Sequence, residues 1–274
     1  MKQNLNDFCN SSLLSNLFDD NKFIGVEPEI INSNITFNGK NNILYCEKDV
    51  VIKNSNIIFN GNNSLILLKK GLYCFCANIY TDSVLYVGED NYFNPHGTLL
   101  NIIVSEHQNT FIGNNNLFST GISIRTADPH LIYDINSKIR INNSKSCYIG
   151  NHVWVGQNVI ILKGTNIHSG SIIGAGSVIA NKELQSNSVF AGNPVKLLKK
   201  EVFWDNKCTH GWDKTETDKF SSISEDKFVY KYDKNIFIPF NSLDFNLNNL
   251  PFADNKLEYL KNLPNDKNIF TYLK

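Results

Sequence analysis

Arginine is nearly absent from this chain of 274 residues, and the chain as a whole carries no net charge. Arg125 and Arg140 are the two arginines, and Lys plus Arg and Asp plus Glu number 26 each. A neutral composition gives no reason to expect nucleic acid or an anionic membrane as a partner. A guanidinium binds carboxylates and phosphates in a fork that lysine cannot reproduce, so the two arginines indicate either substrate recognition or a salt bridge that holds a loop.

Long apolar runs and closely paired cysteines are missing as well. No run approaches the roughly 20 residues that span a bilayer, and the first residues lack the basic start and apolar core of a signal peptide. The six cysteines show neither a C-x-x-C pair nor a zinc-finger spacing, which favours free thiols in a reducing compartment over a disulfide framework. We therefore expect a cytoplasmic protein with no transmembrane segment.

The dominant pattern is a period of six residues between positions 149 and 191. Aliphatic β-branched residues recur at that spacing, namely Ile149, Val155, Ile161, Ile167, Ile173 and Ile179. A helix would repeat near 3.6 residues and a two-faced strand at two. A period of six with Gly, Asn and Ser between is typical of a β-helix, in which each hexapeptide forms one side of a three-sided coil. We expect the corners to use asparagine and six glycines, Gly150, Gly156, Gly164, Gly170, Gly174 and Gly176.

Weaker repeats extend this pattern toward the N-terminus. NITFNG at residues 34–39 recurs as NIIFNG at residues 56–61, and Ile112, Phe118 and Ile124 again lie six apart. A separate small β domain over residues 31–124 is the alternative. The hexads break over residues 125–148, which predicts a loop excursion at a corner of the coil.

The chain accordingly divides into three parts. We predict a lead-in or cap over residues 1–30, a parallel β-helix over residues 31–198 that contains the excursion, and a small mixed extension over residues 199–274. In the extension we expect aromatic strands near residues 228–240 and a helix over residues 255–262. The fold class is therefore all-β.

Two segments resemble a known family. The run HVWVGQNVIILKGTNIHSGSIIGAGSVIANKEL, closing with AGNPVKLLKK, resembles the hexapeptide-repeat acyltransferases. FSTGISIRTADPHLIYDINSKIRIN resembles the active-site segment of their branch that O-acetylates bacterial surface polysaccharides, including sialic acid. The resemblance covers about residues 110–200. It implies a left-handed β-helix, a homotrimer with sites between subunits, and an acetyl-CoA-dependent O-acetyltransferase that acts on a capsule or lipooligosaccharide glycan without a metal.

The resemblance also implies roles for individual residues. His130 matches the family's histidine, and the ordinary pKa of histidine, about 6.5, suits a general base. Trp154 is expected beside the reacting groups, against the sugar or the thioester, and the alternative is a side chain that covers a subunit interface. Asp128 or Asp134 would orient the His130 ring. Asn181 stands where a basic residue is common. The expected positions for acetyl-CoA are Gln157, Gly174, Ala175, Ala180, Asn181, Pro194, Lys196 and Lys199, and those for the acceptor are Arg125, Asp128 and Arg140.

Several alternatives remain open. N-acetylation of an amino sugar nucleotide differs only in the acceptor. A zinc enzyme similar to the γ-class carbonic anhydrases would carry a close H-x-x-x-x-H pair, and no two of the six histidines are five residues apart. A non-catalytic scaffold on the same fold would bind no acetyl-CoA. His152 and His168 are expected at the surface, and the extension is expected to cap the coil, contact another subunit or shape the acceptor groove.

Overall fold

The computed structural model describes residues 3–4 and 20–273, so most of the expected lead-in lies outside the described residues. From residue 22 to residue 199 the chain winds into a left-handed parallel β-helix of about seven turns, and the predicted fold class is confirmed. The strands are two to five residues long; in chain order they are β1 (Gln3–Asn4), β2 (Lys22–Gly25), β3 (Glu29–Ile31), β4 (Asn34–Phe37), β5 (Ile43–Cys46), β6 (Val50–Lys53), β7 (Asn56–Phe59), β8 (Leu65–Leu68), β9 (Gly71–Tyr73), β10 (Phe75–Ile79), β11 (Val84–Val87), β12 (Tyr92–Phe93), β13 (Leu100–Val104), β14 (Asn109–Ile112), β15 (Leu117–Phe118), β16 (Ser123–Arg125), β17 (Cys147–Ile149), β18 (Trp154–Val155), β19 (Ile160–Ile161), β20 (Asn166–Ile167), β21 (Ile172–Ile173), β22 (Val178–Ile179), β23 (Glu183–Leu184), β24 (Val189–Ala191) and β25 (Lys196–Lys199).

Every third strand returns to the same face, which gives the coil three sides. Sheet A has the order β1-β4-β7-β10-β13-β16-β19-β22, and sheet B the order β2-β5-β8-β11-β14-β17-β20-β23. The third side begins as sheet C, β3-β6-β9, and continues as sheet D, β12-β15-β18-β21-β24-β25. Successive coils pair in parallel, as β10 does with β13, and the end pairs β1–β4 and β24–β25 are antiparallel. Residues 31–124 are coils of this same prism.

The residues of the six-residue period fill the interior, as predicted. Ile149, Val155 and Ile161 are completely buried, as are the period-six residues of the earlier coils. The strand register places equivalent residues of successive coils on top of one another, since Ile112 pairs with Ile149 and Ile149 pairs with Ile167. The wider N-terminal coils use aromatic rings in the same way, with Phe37 and Phe59 stacked at 4.5 Å. The core is thus one continuous column.

The corners use asparagine as expected, and glycine in two different ways. Asn158, Asn181 and Asn187 have φ of 57°, 50° and 51°, the left-handed region that asparagine tolerates. Gly164, Gly170 and Gly176 also have positive φ, and the prediction holds for them. It was wrong for the other three, which lack positive φ and are needed for space. A Cβ at Gly156 would lie 2.7 Å from the Ala175 nitrogen.

Residues 126–146 leave the prism at the corner between sheets A and B and form what we call the excursion hairpin. Tyr133 and Arg140 form an antiparallel bridge, and the Asp134 amide donates to the Ile139 carbonyl at 2.9 Å. The turn beyond them is closed by Asp134, whose carboxylate accepts from the backbone amide of Ser137 at 2.7 Å. The broken hexads therefore correspond to a short two-armed projection.

Over residues 199–273 the C-terminal extension contains three helices, α1 (Lys214–Lys219), α2 (Phe240–Asn249) and α3 (Ala253–Lys261). The expected helix at residues 255–262 is confirmed as α3. The strands expected near residues 228–240 were wrong, because this segment is irregular up to the start of α2. Its aromatic side chains stack on the rings of His152 and His168, as described below, and form no ladder.

Helices α2 and α3 cover the outer face of sheet B. Phe240, Leu243 and Leu247 of α2 and Leu257 and Leu260 of α3 are buried there, against Leu65, Leu67, Val84, Tyr86, Phe111 and Tyr148. Strands β8, β11 and β14 are therefore buried on both faces. The extension therefore packs along the side of the coil, which was not among the three roles considered for it, and its contact with another subunit or with the acceptor groove stays a prediction.

Two further expectations concern the whole chain. In residues 3–4 and 20–273, no helix is long and apolar enough to cross a bilayer. The five cysteines in this part of the chain are free thiols, three of them buried. Burial raises the pKa of Cys147 to about 12, so this thiol stays protonated and unreactive at neutral pH.

Candidate active site

His130 lies on the first arm of the excursion hairpin and is exposed to solvent. Its backbone carbonyl accepts a hydrogen bond from the Asn142 amide at 2.7 Å. Its imidazole ring forms no hydrogen bond or ion pair with any residue that the structure describes. The backbone of this histidine is therefore fixed while both ring nitrogens remain free to meet a substrate.

The two carboxylates expected to orient this ring are bound elsewhere. Asp128 accepts from the Lys163 amine at 2.6 Å and from the Asn142 amide at 3.1 Å. The hydrogen bond from Lys163 holds the pKa of Asp128 below its usual range. Asp134 closes the hairpin turn, and hydrogen bonds from Ser137 lower its pKa. Neither carboxylate contacts the His130 ring within this chain.

The two arginines are used differently. The Arg140 guanidinium binds both carboxylate oxygens of Glu106, at 3.0 and 2.8 Å, which corresponds to the salt-bridge alternative. This pairing also lowers the pKa of Glu106. Arg125, at the end of β16, is exposed and forms no side-chain hydrogen bond or ion pair within residues 3–4 and 20–273. Its fork of donors is therefore available beside the hairpin.

Trp154 lies on a different side of the prism from the hairpin. It begins β18 in sheet D and is 40% exposed. It stands in a row of outward apolar residues, because its ladder partners are Leu117 and Ile172, and Tyr92 continues the row. The hairpin projects from the corner between sheets A and B. One chain alone therefore does not bring His130 and Trp154 together.

Trp204, to which sequence reasoning assigned no role, packs behind Trp154 at 5.9 Å between ring centroids. It is locked to His152 by two reciprocal bonds, from its indole nitrogen to the His152 carbonyl at 2.9 Å and between the His152 ring and the Trp204 carbonyl at 3.0 Å. The two rings stack at 3.9 Å, and Phe228 stacks on the other side of the His152 ring at 4.6 Å. The extension therefore supports Trp154 from behind.

The expectation that His152 and His168 lie at the surface was wrong, because the extension covers both. Burial lowers the pKa of His152. The His168 ring is completely buried and lies 3.1 Å from the Phe270 carbonyl and 3.0 Å from the Glu183 carboxylate. Both histidines hold the extension against the coil, so neither is available for catalysis.

The residues expected to bind acetyl-CoA form two rows along the edges of sheet A. Gln157, Gly174, Ala175 and Pro194 lie at the corner between sheets D and A. Ala180 and Asn181 lie at the corner between sheets A and B. Lys196 and Lys199 are exposed on β25 at the end of the coil. As with His130 and Trp154, the candidates are divided between separate edges of one chain.

Small side chains keep the first of these rows open. Ala175 and Gly176 are exposed, and a Cβ added at Gly176 would meet no atom within 4 Å. The Gly176 amide is held by the Gln157 carbonyl at 2.8 Å. Gly174 has no such freedom, because a Cβ there would lie 2.8 Å from the Ala191 Cβ. An extended ligand can approach the backbone closely along this edge.

Two lysines that sequence reasoning missed bring charge to the second row. The Lys145 amine donates to the Asn181 side chain at 2.8 Å. A positive charge therefore stands beside Asn181. Lys163 lies one coil away and binds Asp128. No sequence signal linked Lys145 to Asn181, because 36 residues and the coil's turn separate them.

Metal ligands are the remaining class of site. Within the described ranges, 3–4 and 20–273, no three His, Cys, Asp or Glu side chains lie together in a way that would hold a metal ion.

Comparison with known proteins extends these observations. The family model for the bacterial transferase hexapeptide (six repeats) matches residues 146–181. A polysialic acid O-acetyltransferase of Neisseria meningitidis is 33% identical over 190 residues, which is 69% of this chain and 76% of that protein. A polysialic acid O-acetyltransferase of Escherichia coli O1:K1 / APEC is 40% identical over 130 residues, 47% of this chain and 39% of that protein. The match therefore spans well under half of the second relative's length.

Among solved structures, a crystal structure of the polySia specific acetyltransferase NeuO has a similar fold. The TM-score is 0.62 at 31% sequence identity, over 73% of this chain and 93% of that chain. The similarity thus extends over nearly the whole of NeuO, while about a quarter of this chain has no counterpart there.

Proposed function

This chain belongs to the hexapeptide-repeat acyltransferases, and from that premise we propose that it transfers acetyl from acetyl-CoA to a hydroxyl of a bacterial surface glycan that contains sialic acid. The observation that carries the proposal is the free imidazole of His130, held at the surface by a fixed backbone. The printed activity of the relatives, O-acetylation of polysialic acid, supports the choice of reaction and acceptor.

In the proposed reaction His130 acts as the general base. A ring nitrogen takes the proton of the acceptor hydroxyl while that oxygen attacks the thioester carbonyl carbon. The tetrahedral intermediate then collapses, its carbon–sulfur bond breaks, and the proton passes from the imidazolium to the departing thiolate of CoA. A thioester is already activated, so the step needs neither a metal nor an acyl-enzyme. Trp154 would pack against the sugar or the thioester.

For the acetyl-CoA we propose the edges of sheet A. The open backbone at Ala175 and Gly176, with Gln157 and Gly174 beside it, suits the pantetheine arm, and the exposed Ala180 and Pro194 leave space at neighbouring corners. Lys196 and Lys199, exposed on β25, would pair with the CoA phosphates, and Lys145 at Asn181 would add a further charge. Acetyl-CoA occurs in the cytoplasm, which is where the proposal places the reaction.

For the acceptor we assign Arg125 as the carboxylate-binding residue. Sialic acid carries a carboxylate, and a free guanidinium fork is its natural partner. Arg140 is already saturated by Glu106, so its contribution is to hold the hairpin. Asp128, paired with Lys163, lies on the same arm as His130 and is placed to accept from an acceptor hydroxyl.

The proposal includes assembly into a homotrimer. The excursion hairpin exposes six large apolar side chains, which are between 50% and 79% exposed: Leu131, Ile132, Tyr133, Ile135, Ile139 and Ile141. A projection of this kind is typical of a surface that another chain covers. Because His130 and Trp154 lie on different sides of one prism, contact between copies is also what would unite them. A cyclic arrangement gives each copy the same contact.

The test is release of CoA thiol from acetyl-CoA with sialylated oligosaccharides and with neutral sugars. We expect release to require the sialylated acceptor and to fall by roughly 10²-fold or more in His130→Ala. The matched control is His210→Ala, which removes an exposed histidine of the extension and should retain full activity. Full activity of His130→Ala would refute the base assignment, and equal activity on neutral sugars would refute the acceptor. Light scattering should give the mass of three chains.

A further inference from the structure

The excursion hairpin is closed at its base by one buried side chain, that of Asn142, which is 7% exposed. Its amide oxygen accepts from the Ile132 amide at 2.9 Å and from the Arg140 side chain at 3.2 Å. Its amide nitrogen donates to the His130 carbonyl at 2.7 Å and to Asp128 at 3.1 Å. Two donors and two acceptor positions are all that an amide has, so Asn142 is fully satisfied.

These four bonds join the two arms of the hairpin around His130. Asp128, His130 and Ile132 are alternate positions of the first arm, and each is held by the same amide. The backbone carbonyl of Asn142 in turn accepts from the Lys163 amine at 2.9 Å, which ties the hairpin to the corner of the coil that follows β19. On the other side, Arg140 ties the hairpin to Glu106, at the corner that follows β13. The backbone of His130 is therefore positioned from both sides.

The ion pairs of this network do not account for that position by themselves. Glu106 and Asp128 are each more than a third exposed at the side chain, and ion pairs at such sites contribute little because water screens them. The buried amide is different, because removing one partner leaves the others without bonds in a place that water hardly reaches. Asn142 is the member of the network that touches both arms and both ion pairs.

We propose that Asn142 is a positioning residue, which sets the place of the His130 ring for proton transfer through its bond to the His130 carbonyl. This inference rests on the proposed function, since it assumes that His130 is the base. A displacement of about 1 Å in such a group lowers the rate of the chemical step by about 10²-fold, while the binding of acetyl-CoA depends on other residues.

The test compares Asn142→Asp with Asn143→Asp, the same change at the neighbouring exposed position. Asn142→Asp keeps both acceptor bonds but replaces the two donors by an oxygen that faces the His130 carbonyl and Asp128. We expect kcat to fall roughly 10- to 100-fold with KM for acetyl-CoA within about twofold. Asn143→Asp should match the wild type. Asn142→Ala, which adds no charge, should reproduce the loss if Asn142→Asp folds poorly.

A double variant separates positioning from charge balance. Asn142→Asp with Asp128→Asn removes the repulsion between two carboxylates but does not restore a donor to the His130 carbonyl. We expect its melting temperature to recover and its kcat to stay low. Recovery of kcat to the level of Asp128→Asn alone would overturn the proposal, and so would an unchanged kcat in both Asn142 variants.

A second readout keeps this proposal distinct from the proposed function. Amide hydrogen exchange over residues 128–142 should be faster in both Asn142 variants than in the wild type and in Asn143→Asp. If His130→Ala is fully active, the base assignment fails, and hydrogen exchange alone then decides whether Asn142 holds the hairpin. Unchanged exchange in the Asn142 variants would overturn the positioning role in either case.

Discussion

Helix α2 carries two phenylalanines in opposite environments, and they give a matched test of how the extension is held. Phe240 is 2% exposed and its ring lies 5.3 Å from Tyr148, 4.7 Å from His168 and 5.1 Å from Phe270. Phe245, five residues later, is 68% exposed. The same substitution, phenylalanine to alanine, is therefore made once in the contact with sheet B and once in solvent.

The expected difference follows from burial. Replacing a buried phenylalanine by alanine costs about 3–5 kcal/mol, because it removes apolar contacts and leaves a cavity that neighbours fill only in part. With aromatic partners on three sides, we expect Phe240→Ala to fall near the middle of this range, at about 4 kcal/mol. A surface substitution changes stability by about 0.5 kcal/mol or less, which is our expectation for Phe245→Ala.

Urea unfolding of both variants, followed by tryptophan fluorescence and linear extrapolation, measures this difference. Stacked coils contact only their neighbours, so the extension can be released before the coil unfolds, and proteolysis within residues 200–239 would report that step. Acetyl transfer at low temperature should be nearly normal in both variants, because the ring partners of Phe240 are Tyr148, His168 and Phe270, and none of these is a candidate site residue. A loss under about 1 kcal/mol in Phe240→Ala, or equal losses in both, would refute the proposed packing.

Three further expectations concern the site. Hydrogen bonding lowers the pKa values of Glu106 and Asp128, so the stability that these carboxylates give the hairpin is complete at neutral pH and is lost as the pH falls through the lowered values. Amide hydrogen exchange over residues 128–142 should therefore accelerate only in acid. Acceleration near neutral pH would contradict this. Trp204→Phe removes the donor to the buried His152 carbonyl, so thermal unfolding should show a loss of about 1–3 kcal/mol, and the KM of the acceptor should rise while that of acetyl-CoA does not. Lys196→Ala should raise the KM of acetyl-CoA several-fold, more at low salt, and the exposed Lys234→Ala should not; equal effects would remove Lys196 from the binding site.

The interior of the coil could be predicted because it depends on spacing alone. Each hexapeptide repeats the same environment, so Ile149, Val155 and Ile161 must all point into the coil whatever surrounds it. The corners were predicted less well, because a glycine serves two purposes. Gly176 is needed for its φ of +70°, whereas Gly156 is needed for lack of room, and only the coil stacked on it reveals that.

The packing of the extension on sheet B was missed, although part of the signal was present. The runs LILL at residues 65–68 and VLYV at residues 84–87 are apolar at every position, which indicates strands buried on both faces. In α2 the buried residues Phe240, Leu243 and Leu247 follow a helical spacing. The many aromatic residues before α2 favoured strands instead. Which surface they pack on depends on distant parts of the chain, since Phe228 packs on His152 and Phe237 on His168, and spacing carries no information on that.

The candidate site shows the same division between residue types and partners. Histidine, aspartate and arginine in the excursion were predicted to be functional from their chemistry and position. Their pairings were not predictable, since Lys163 reaches Asp128 across 35 residues and Glu106 reaches Arg140 across 34. Such pairs form because successive coils bring distant corners into contact. That geometry decided between the two uses of the arginines, leaving Arg125 free and Arg140 bound.

The backbone of the excursion hairpin is already fixed within a single chain, and this affects how a site between chains would form. The foot of the hairpin is fixed within its own chain by two contacts, the ion pair of Arg140 with Glu106 and the hydrogen bond from Asn142 to the His130 carbonyl. Its apolar side chains are exposed farther along the two arms, and Ile135 is 79% exposed. Association with a second copy would therefore order little backbone that is not already ordered, which removes a main cost of binding. In the proposed trimer, each chain presents its general base, His130, already in position, and the neighbouring chain supplies the other side of the active site.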